Sequence, residues 1–325
     1  MKEKNHGFYD ADPYFNKNLA QNRDDFSFSA IVTRDFEKVI PKTFHEEVIF
    51  EAEFSPISAR AVCVFAHYDA GGLIAPYVIY YLTEIKKHMD IVFVSTSEKM
   101  SKSELYKIQT LVNIGIIKKN IGYDFGSWKT AIDRIDHDRV DRLVMCNDSV
   151  FGPLFDLGHF FVAWEESGAN AFGITDSFEI RHHLQSYFVG FDKKTINSAS
   201  FVGFWAKMKV IELKEELILR NEIGLSEELR KAGLVLDCLA PARKLGYLNN
   251  THLCWKELIT EFRSPFVKLE LLRDNPLERD LSTFQNVVEH HSDYPCDLID
   301  QQLLRAGIQL DSYLSSGHVE QIKYA

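Results

Sequence analysis

Three features of the sequence predict an α/β fold with a mostly parallel sheet flanked by helices. Short, continuous apolar runs recur at AVCVFAH (61–67), DIVFVST (90–96), IGIIKKN (114–120) and DRLVMCND (141–148). They are apolar without a break, as strands covered on both faces are. The stretches between them carry helical signals, and strands alternating with helices of about ten to fifteen residues imply a parallel, Rossmann-like sheet.

Taken in order, residues 1–56 read as an N-terminal extension, polar and aromatic with weak periodicity. Within it EEVIFEAEF (46–54) alternates as an edge strand does. After the first buried run, Asp69-Ala-Gly-Gly72 forms a turn and a helical stretch reaches about Lys87. The segment 101–113 opens with Ser-x-Ser-Glu, a helix start signal, and reads as a helix. Residues 124–135 (DFGSWKTAIDRI) also read as a helix, in which Trp128 is a packing residue rather than a base-stacking one. Past Asp148 the expectations are a helix at 152–167, strands at 169–177 and 185–192, and mostly helix over 195–220. A capped helix at 224–233 ending on a glycine, a strand at 234–240 and a helix-rich tail from about Asn249 complete the series. Residues 57–248 are therefore expected to form the core, with 249–325 packed on it.

Composition excludes several function classes. The 325 residues are 46% hydrophobic and 26% charged, which is globular usage. Lys plus Arg (37) falls short of Asp plus Glu (47), so the net charge is −10. An acidic chain without a basic run lacks the cations that nucleic-acid phosphates require. The five cysteines form no CxxC pair, which suits neither a disulfide framework nor a zinc ribbon and points to a reducing compartment. The first residues, MKEKNHGFYDADPYF, contain no apolar signal-peptide core, and no stretch approaches the roughly 18 apolar residues of a membrane span. A cytoplasmic protein is expected, with peripheral contact at the inner membrane face left open.

Open parallel sheets bind ligands beyond the carboxyl ends of their strands. The residues there are His67 to Gly72, Ser95 to Ser97, Asn120 to Gly126 and Asn147 to Ser149. Turns favour the same residue types, so agreement across all four ends is what makes them candidates. Neither GxGxxG nor GxxxxGK[ST] is present, which counts against dinucleotide enzymes and P-loop nucleotidases. No GxSxG elbow supports a hydrolase.

The order Asn120-x-Gly122, helix, strand, then Asn147-Asp148-Ser149 resembles the GT-A fold of nucleotide-sugar glycosyltransferases. In that family an acidic DxD-type motif holds a divalent cation against the donor diphosphate. Here a single carboxylate, Asp148, is flanked by Asn147 and Ser149. One carboxylate can still anchor Mg²⁺ or Mn²⁺ together with substrate phosphates. The stretch from Asn221 to Gly233 resembles the segment of inverting members whose acidic residue, at the head of a helix, is the general base. Glu222 occupies that position, and the ordinary alternative is an exposed helix-start carboxylate.

Longer strings narrow the resemblance. NIGYDFGSWK (120–129), NDSVFGP (147–153), GITDS (173–177), HLQSYF (183–188), FVGFW (201–205), NEIGL (221–225) and PFVKLELLRDNP (265–276) are together similar to the rhamnan synthesis protein F family. The resemblance implies an inverting rhamnosyltransferase that builds cell-wall polysaccharide or lipopolysaccharide O-antigen. Its donor would be dTDP-L-rhamnose and its acceptor a lipid-linked glycan. The donor would then lie against Asn120, Gly122, Asp124, Asn147, Asp148 and Ser149, joined by His67, Asp69 and Ser95. His183, Gln185 and Ser186 would line the acceptor side, with Asp176 as a second candidate for the base. His252 would be a late metal ligand beside Asp148. His182 and His183, as adjacent strand residues, point to opposite faces and make a poor metal pair. The competing reading is a catalytically silent glycan-binding or scaffold subunit with the same fold.

Overall fold

A computed structural model describes residues 47–211 and 214–308. Residues 1–46 of the extension expected over 1–56, and the end of the tail, lie outside them. The chain forms β1 (Val48–Glu53), β2 (Ala61–His67), α1 (Pro76–Lys86), β3 (Asp90–Ser95), α2 (Lys102–Tyr106), β4 (Ile114–Lys118), α3 (Tyr123–Ile132), β5 (Arg142–Asn147) and β6 (Val150–Phe151). Next come α4 (Gly158–Ser167), β7 (Ala171–Ser177), β8 (His183–Leu184), β9 (Phe188–Asp192), α5 (Lys193–Ile196) and α6 (Ala199–Lys207). A short helix α7 (Lys214–Leu217) runs through a π-helical turn, Ile218–Ile223, into α8 (Gly224–Lys231). The remainder is β10 (Leu236–Ala240), α9 (Ala242–Leu245), α10 (Trp255–Thr260), β11 (Val267–Lys268), α11 (Leu269–Arg273), α12 (Phe284–His291) and α13 (Asp297–Arg305).

The main sheet has the order β1-β4-β3-β2-β5-β9-β7-β10, with β8 paired to β7. Strands β2, β3, β4, β5, β7 and β10 run one way; β1, β8 and β9 run the other. The mostly parallel sheet flanked by helices that the sequence led us to expect is therefore present. The alternating 46–54 segment is the antiparallel edge strand β1, seated on β4.

Burial on both faces explains the unbroken apolar runs. Cys63, Phe65, Ile91 and Phe93 point to one side, against α1, α4 and the helices from Trp255 onward. Val62, Val64, Val92 and Val94 point to the other, against α3, α6 and α8. The period-two alternation of side chains thus builds two cores from one sheet. Trp128 is fully buried and its indole N–H donates to the Cys146 carbonyl at 2.9 Å, so it is a packing residue, as read. All five cysteines are free thiols. Among the described residues no helix is long and apolar enough to cross a membrane.

Two helices differ from expectation. The helix opening at Ser101, whose hydroxyl accepts from the Glu104 N–H at 3.1 Å, stops at Tyr106 rather than 113. From Lys107 the chain continues in turns as far as Asn113. The Asn113 side-chain oxygen accepts from Ile91 N–H and from Lys86, and its amide donates to Ser55 and Pro56, which ties the chain to the sheet. The helix expected at 152–167 begins only at Gly158. Before it, Gly152 (φ 139°) packs so closely on Pro265 that a Cβ would lie 2.3 Å from the Pro265 carbonyl oxygen. Helix α8 ends as expected: Gly233 (φ 75°) donates to the Arg230 carbonyl at 2.9 Å.

Candidate active-site cleft

The carboxyl ends of β2 and β5 open into a cleft of 460 Å³. Asp124, Asn147, Asp148 and Ser149 line it on the strand-end side, with Ser186 and Glu222 also in its wall. Short hydrogen bonds organise the strand-end group. The Asn147 amide donates to the Asp124 carboxylate at 2.8 Å, while its oxygen accepts from the Ser149 hydroxyl at 2.6 Å. Gly122, in the left-handed region at φ 78°, precedes α3 and lets the chain turn so that Asp124 meets Asn147.

Asp148 accepts from the Tyr68 N–H at 3.0 Å, and its backbone carbonyl accepts from the Tyr77 hydroxyl at 2.9 Å. Its side chain is 14% exposed. Burial, aided by the negative charges of Asp124 and Asp69, pushes its carboxyl up to about 8 against the pull of the Tyr68 N–H. Behind it lies His67, 2% exposed, with Nε2 at 3.8 Å from Asp148 and Nδ1 at 2.9 Å from the Ser95 hydroxyl. Burial lowers the imidazole to about 4, so it is neutral at pH 7.

Glu222 sits in the π-helical turn that leads into α8, not at a free helix start. Such turns recur at functional sites because the wider winding re-aims a side chain. Its carboxylate accepts from the Ser186 N–H at 2.7 Å, which fixes it to the strand connection before β9.

Other sequence candidates lie elsewhere. Asp69 is occupied by the N–H groups of Gly71 and Leu73 and by Arg305 at 2.6 Å. Asn120 is exposed and its N–H donates to Glu98 at 3.3 Å. Asp176, 3% exposed, accepts from the Ala242 N–H at 2.6 Å and meets His182 Nε2 at 2.8 Å; it does not line the cleft. His183 Nδ1 donates to the Arg181 carbonyl at 2.8 Å, and Gln185 bonds Thr175 at 2.7 Å and Asn249 at 3.3 Å. His252 Nε2 stands 3.6 Å from Glu270, which does line the cleft. Among the described residues no group of three or more His, Cys, Asp or Glu side chains is arranged to hold a metal ion.

The cleft also holds residues to which the sequence reading gave no role, Tyr68, Tyr123, Lys268 and Arg273 among them. The two cations lie in PFVKLELLRDNP, one of the strings that carry the family resemblance. A pair of cations among apolar positions of an acidic chain was a signal that could have marked them.

Among known proteins, the chain is 29% identical over 199 residues to the virulence protein VirA of Vibrio anguillarum, covering 50% of this chain and 64% of that one. It is 26% identical over 190 residues to the protein y4gN of Sinorhizobium fredii, covering 57% and 49% respectively. The chain thus spans less than two thirds of the first relative's length and about half of the second's. Among solved structures, the glycosyltransferase GlyE of Streptococcus pneumoniae overlaps with a TM-score of 0.37 at 14% identity, over 76% of this chain and 63% of that one. The galactosyltransferase LgtC overlaps with a TM-score of 0.35 at 10% identity, over 73% and 98%. The model of the family described as rhamnan synthesis protein F matches residues 91–324, more than half of the 325, and the chain belongs to that family.

Proposed function

We propose that the protein is an inverting glycosyltransferase that moves a sugar, rhamnose from dTDP-L-rhamnose, onto a glycan acceptor carried on lipid at the inner membrane face. The observation that supports this reading is the pairing, in one cleft, of a fixed carboxylate with a polar strand-end group. Glu222 is oriented by the Ser186 N–H, while Asn147 is bonded to Asp124 beside Asp148 in the strand-end group.

In this reading Glu222 removes the proton from the acceptor hydroxyl as its oxygen attacks the anomeric carbon, and the nucleoside diphosphate leaves from the opposite face. The N–H donated by Ser186 stays in place through the step, so the base needs no reorganisation. Asn147 and Asp124 serve the nucleoside side, and Tyr68 and Tyr123 offer aromatic faces at the cleft wall. Asp148 is the residue to hold a divalent cation. Its carboxylate is penalised by burial and by neighbouring negative charge, a penalty that a bound cation would relieve. With one principal carboxylate, the remaining ligands would come from donor phosphate and water, and the ion would stabilise the leaving diphosphate.

The test is calorimetric titration of nucleotides and nucleotide sugars, with and without Mn²⁺, followed by transfer assays on a Glu222→Gln variant. Binding of dTDP and dTDP-rhamnose, with transfer lost in the variant, is expected. Preference for a UDP or GDP species would replace the donor, and unchanged transfer in the variant would remove Glu222 from its role. The single carboxylate of the Asn147–Ser149 group favours one alternative, a glycan-binding subunit. Glycan binding with no affinity for any nucleotide would establish it instead.

A further inference from the structure

The cleft is lined by four carboxylates, Glu222 and Glu270 among them, and, among the described residues, by two cations. Asp124 and Asp148 stand at the strand ends, while Lys268 and Arg273 come from the late β11–α11 segment. That segment is locked to the strand-end group. Strand β11 pairs antiparallel with β6, Lys268 opposite Val150, and the Leu269 N–H donates to the Ser149 carbonyl at 2.9 Å. Lys268 Nζ lies 4.3 Å from the centre of the Tyr187 ring. Tyr187 is itself 3% exposed and shares a 2.8 Å hydrogen bond with Thr175. The ammonium is thus held by a rigid aromatic face instead of ranging through solvent. Arg273 pairs with its neighbour Asp274 in a contact that is nearly half exposed on both sides. Such pairs contribute little, so the guanidinium can exchange Asp274 for a better anion at small cost.

We infer that Lys268 and Arg273 form a diphosphate clamp, so that the C-terminal part of the chain completes the donor site begun at the strand ends. The inference rests on the donor-binding reading given above. Lys268 and Arg273 are the two cations that line the cleft among the described residues, so an anion entering it is drawn to them. A diphosphate lying there keeps its nucleoside toward Asp124 and its leaving oxygen toward Asp148. A prenyl-linked diphosphate on the acceptor shares the same chemistry, so the test must separate the two.

The experiment measures binding of dTDP, thymidine and farnesyl diphosphate to the full chain and to the Lys268→Gln and Arg273→Gln variants, in EDTA and in Mn²⁺. Wild type should prefer dTDP over thymidine. Each variant should lose about tenfold or more in dTDP affinity while keeping its thymidine affinity, which also shows that it is folded. Lys268→Arg should recover part of the loss. If wild type prefers dTDP and the variants keep that preference, the clamp is wrong and the donor reading survives. If wild type binds no nucleotide, the donor reading falls and takes the clamp with it. If farnesyl diphosphate alone loses affinity in the variants, the cations serve the acceptor and the inference is overturned.

Discussion

Replacing Asp148 with Asn should stabilise the protein while weakening its function. In the folded protein the Asp148 carboxyl titrates at about 8, against an ordinary 3.8, because burial and the charges of Asp124 and Asp69 disfavour the anion. The folded state therefore holds this proton more tightly than the unfolded chain does. Stability is unaffected below the ordinary value, and it falls as pH rises from about 4 to about 8. Each pH unit in that window is worth about 1.4 kcal/mol, so burying a carboxyl that the unfolded chain would ionise costs on the order of 2–4 kcal/mol at pH 7, the lower figure allowing for partial solvent access. An Asn side chain keeps an oxygen for the Tyr68 N–H and carries no charge. Chemical denaturation of wild type and Asp148→Asn from pH 4 to pH 8.5 should give stabilities that coincide at the acid end. Above it they should diverge, with the variant the more stable, and nucleoside diphosphate binding in Mn²⁺ should be weaker in the variant. Equal stabilities at pH 7.5, or a difference that does not grow with pH, would refute the assignment of a disfavoured carboxylate.

Glu222→Gln retains an acceptor for the Ser186 N–H but no base, so transfer should fall by about 10²–10⁴-fold with donor affinity little changed, read as a drop in kcat. His67 is held neutral by burial, about 4 against an ordinary 6.5. It contributes stability that is present above pH 6.5 and lost as pH falls toward 4. His67→Asn should flatten the acid limb of the stability profile over that window, measured by thermal melts. Gly190 lies against Trp164, and a Cβ there would stand 2.5 Å from the indole ring. Gly190→Ala should lower stability by about 1–3 kcal/mol because the buried ring has little room to move, visible as a reduced denaturation midpoint. Removing the indole N–H by Trp128→Phe should cost about 1–3 kcal/mol, since the buried Cys146 carbonyl loses its 2.9 Å partner.

The parallel strands were legible in the sequence because burial on both faces demands unbroken apolar runs, and β2, β3, β4 and β5 all show them. The strand-end residues were legible for a related reason: where a buried strand stops, polar and glycine residues begin. Asp124, Asn147, Asp148 and Ser149, chosen on that ground, do line one cleft. Tertiary structure decided which other polar residues would join them. Asp176 and His183 have the same chemistry as Asp148 and His67, yet they are turned to the Ala242 N–H and the Arg181 carbonyl, because that is where the local hydrogen-bond partners are. The sheet order was also undecided in the sequence. Strand β9 inserts antiparallel between β5 and β7, a pairing that no local pattern encodes. Most distant of all is Arg305, which reaches Asp69 across 236 positions, much as Lys268 and Arg273 reach the cleft from beyond the core strands. Local pattern reports how each segment meets water or backbone. Which remote segments meet each other is set by the packing of whole faces, and that information exists only in the folded chain.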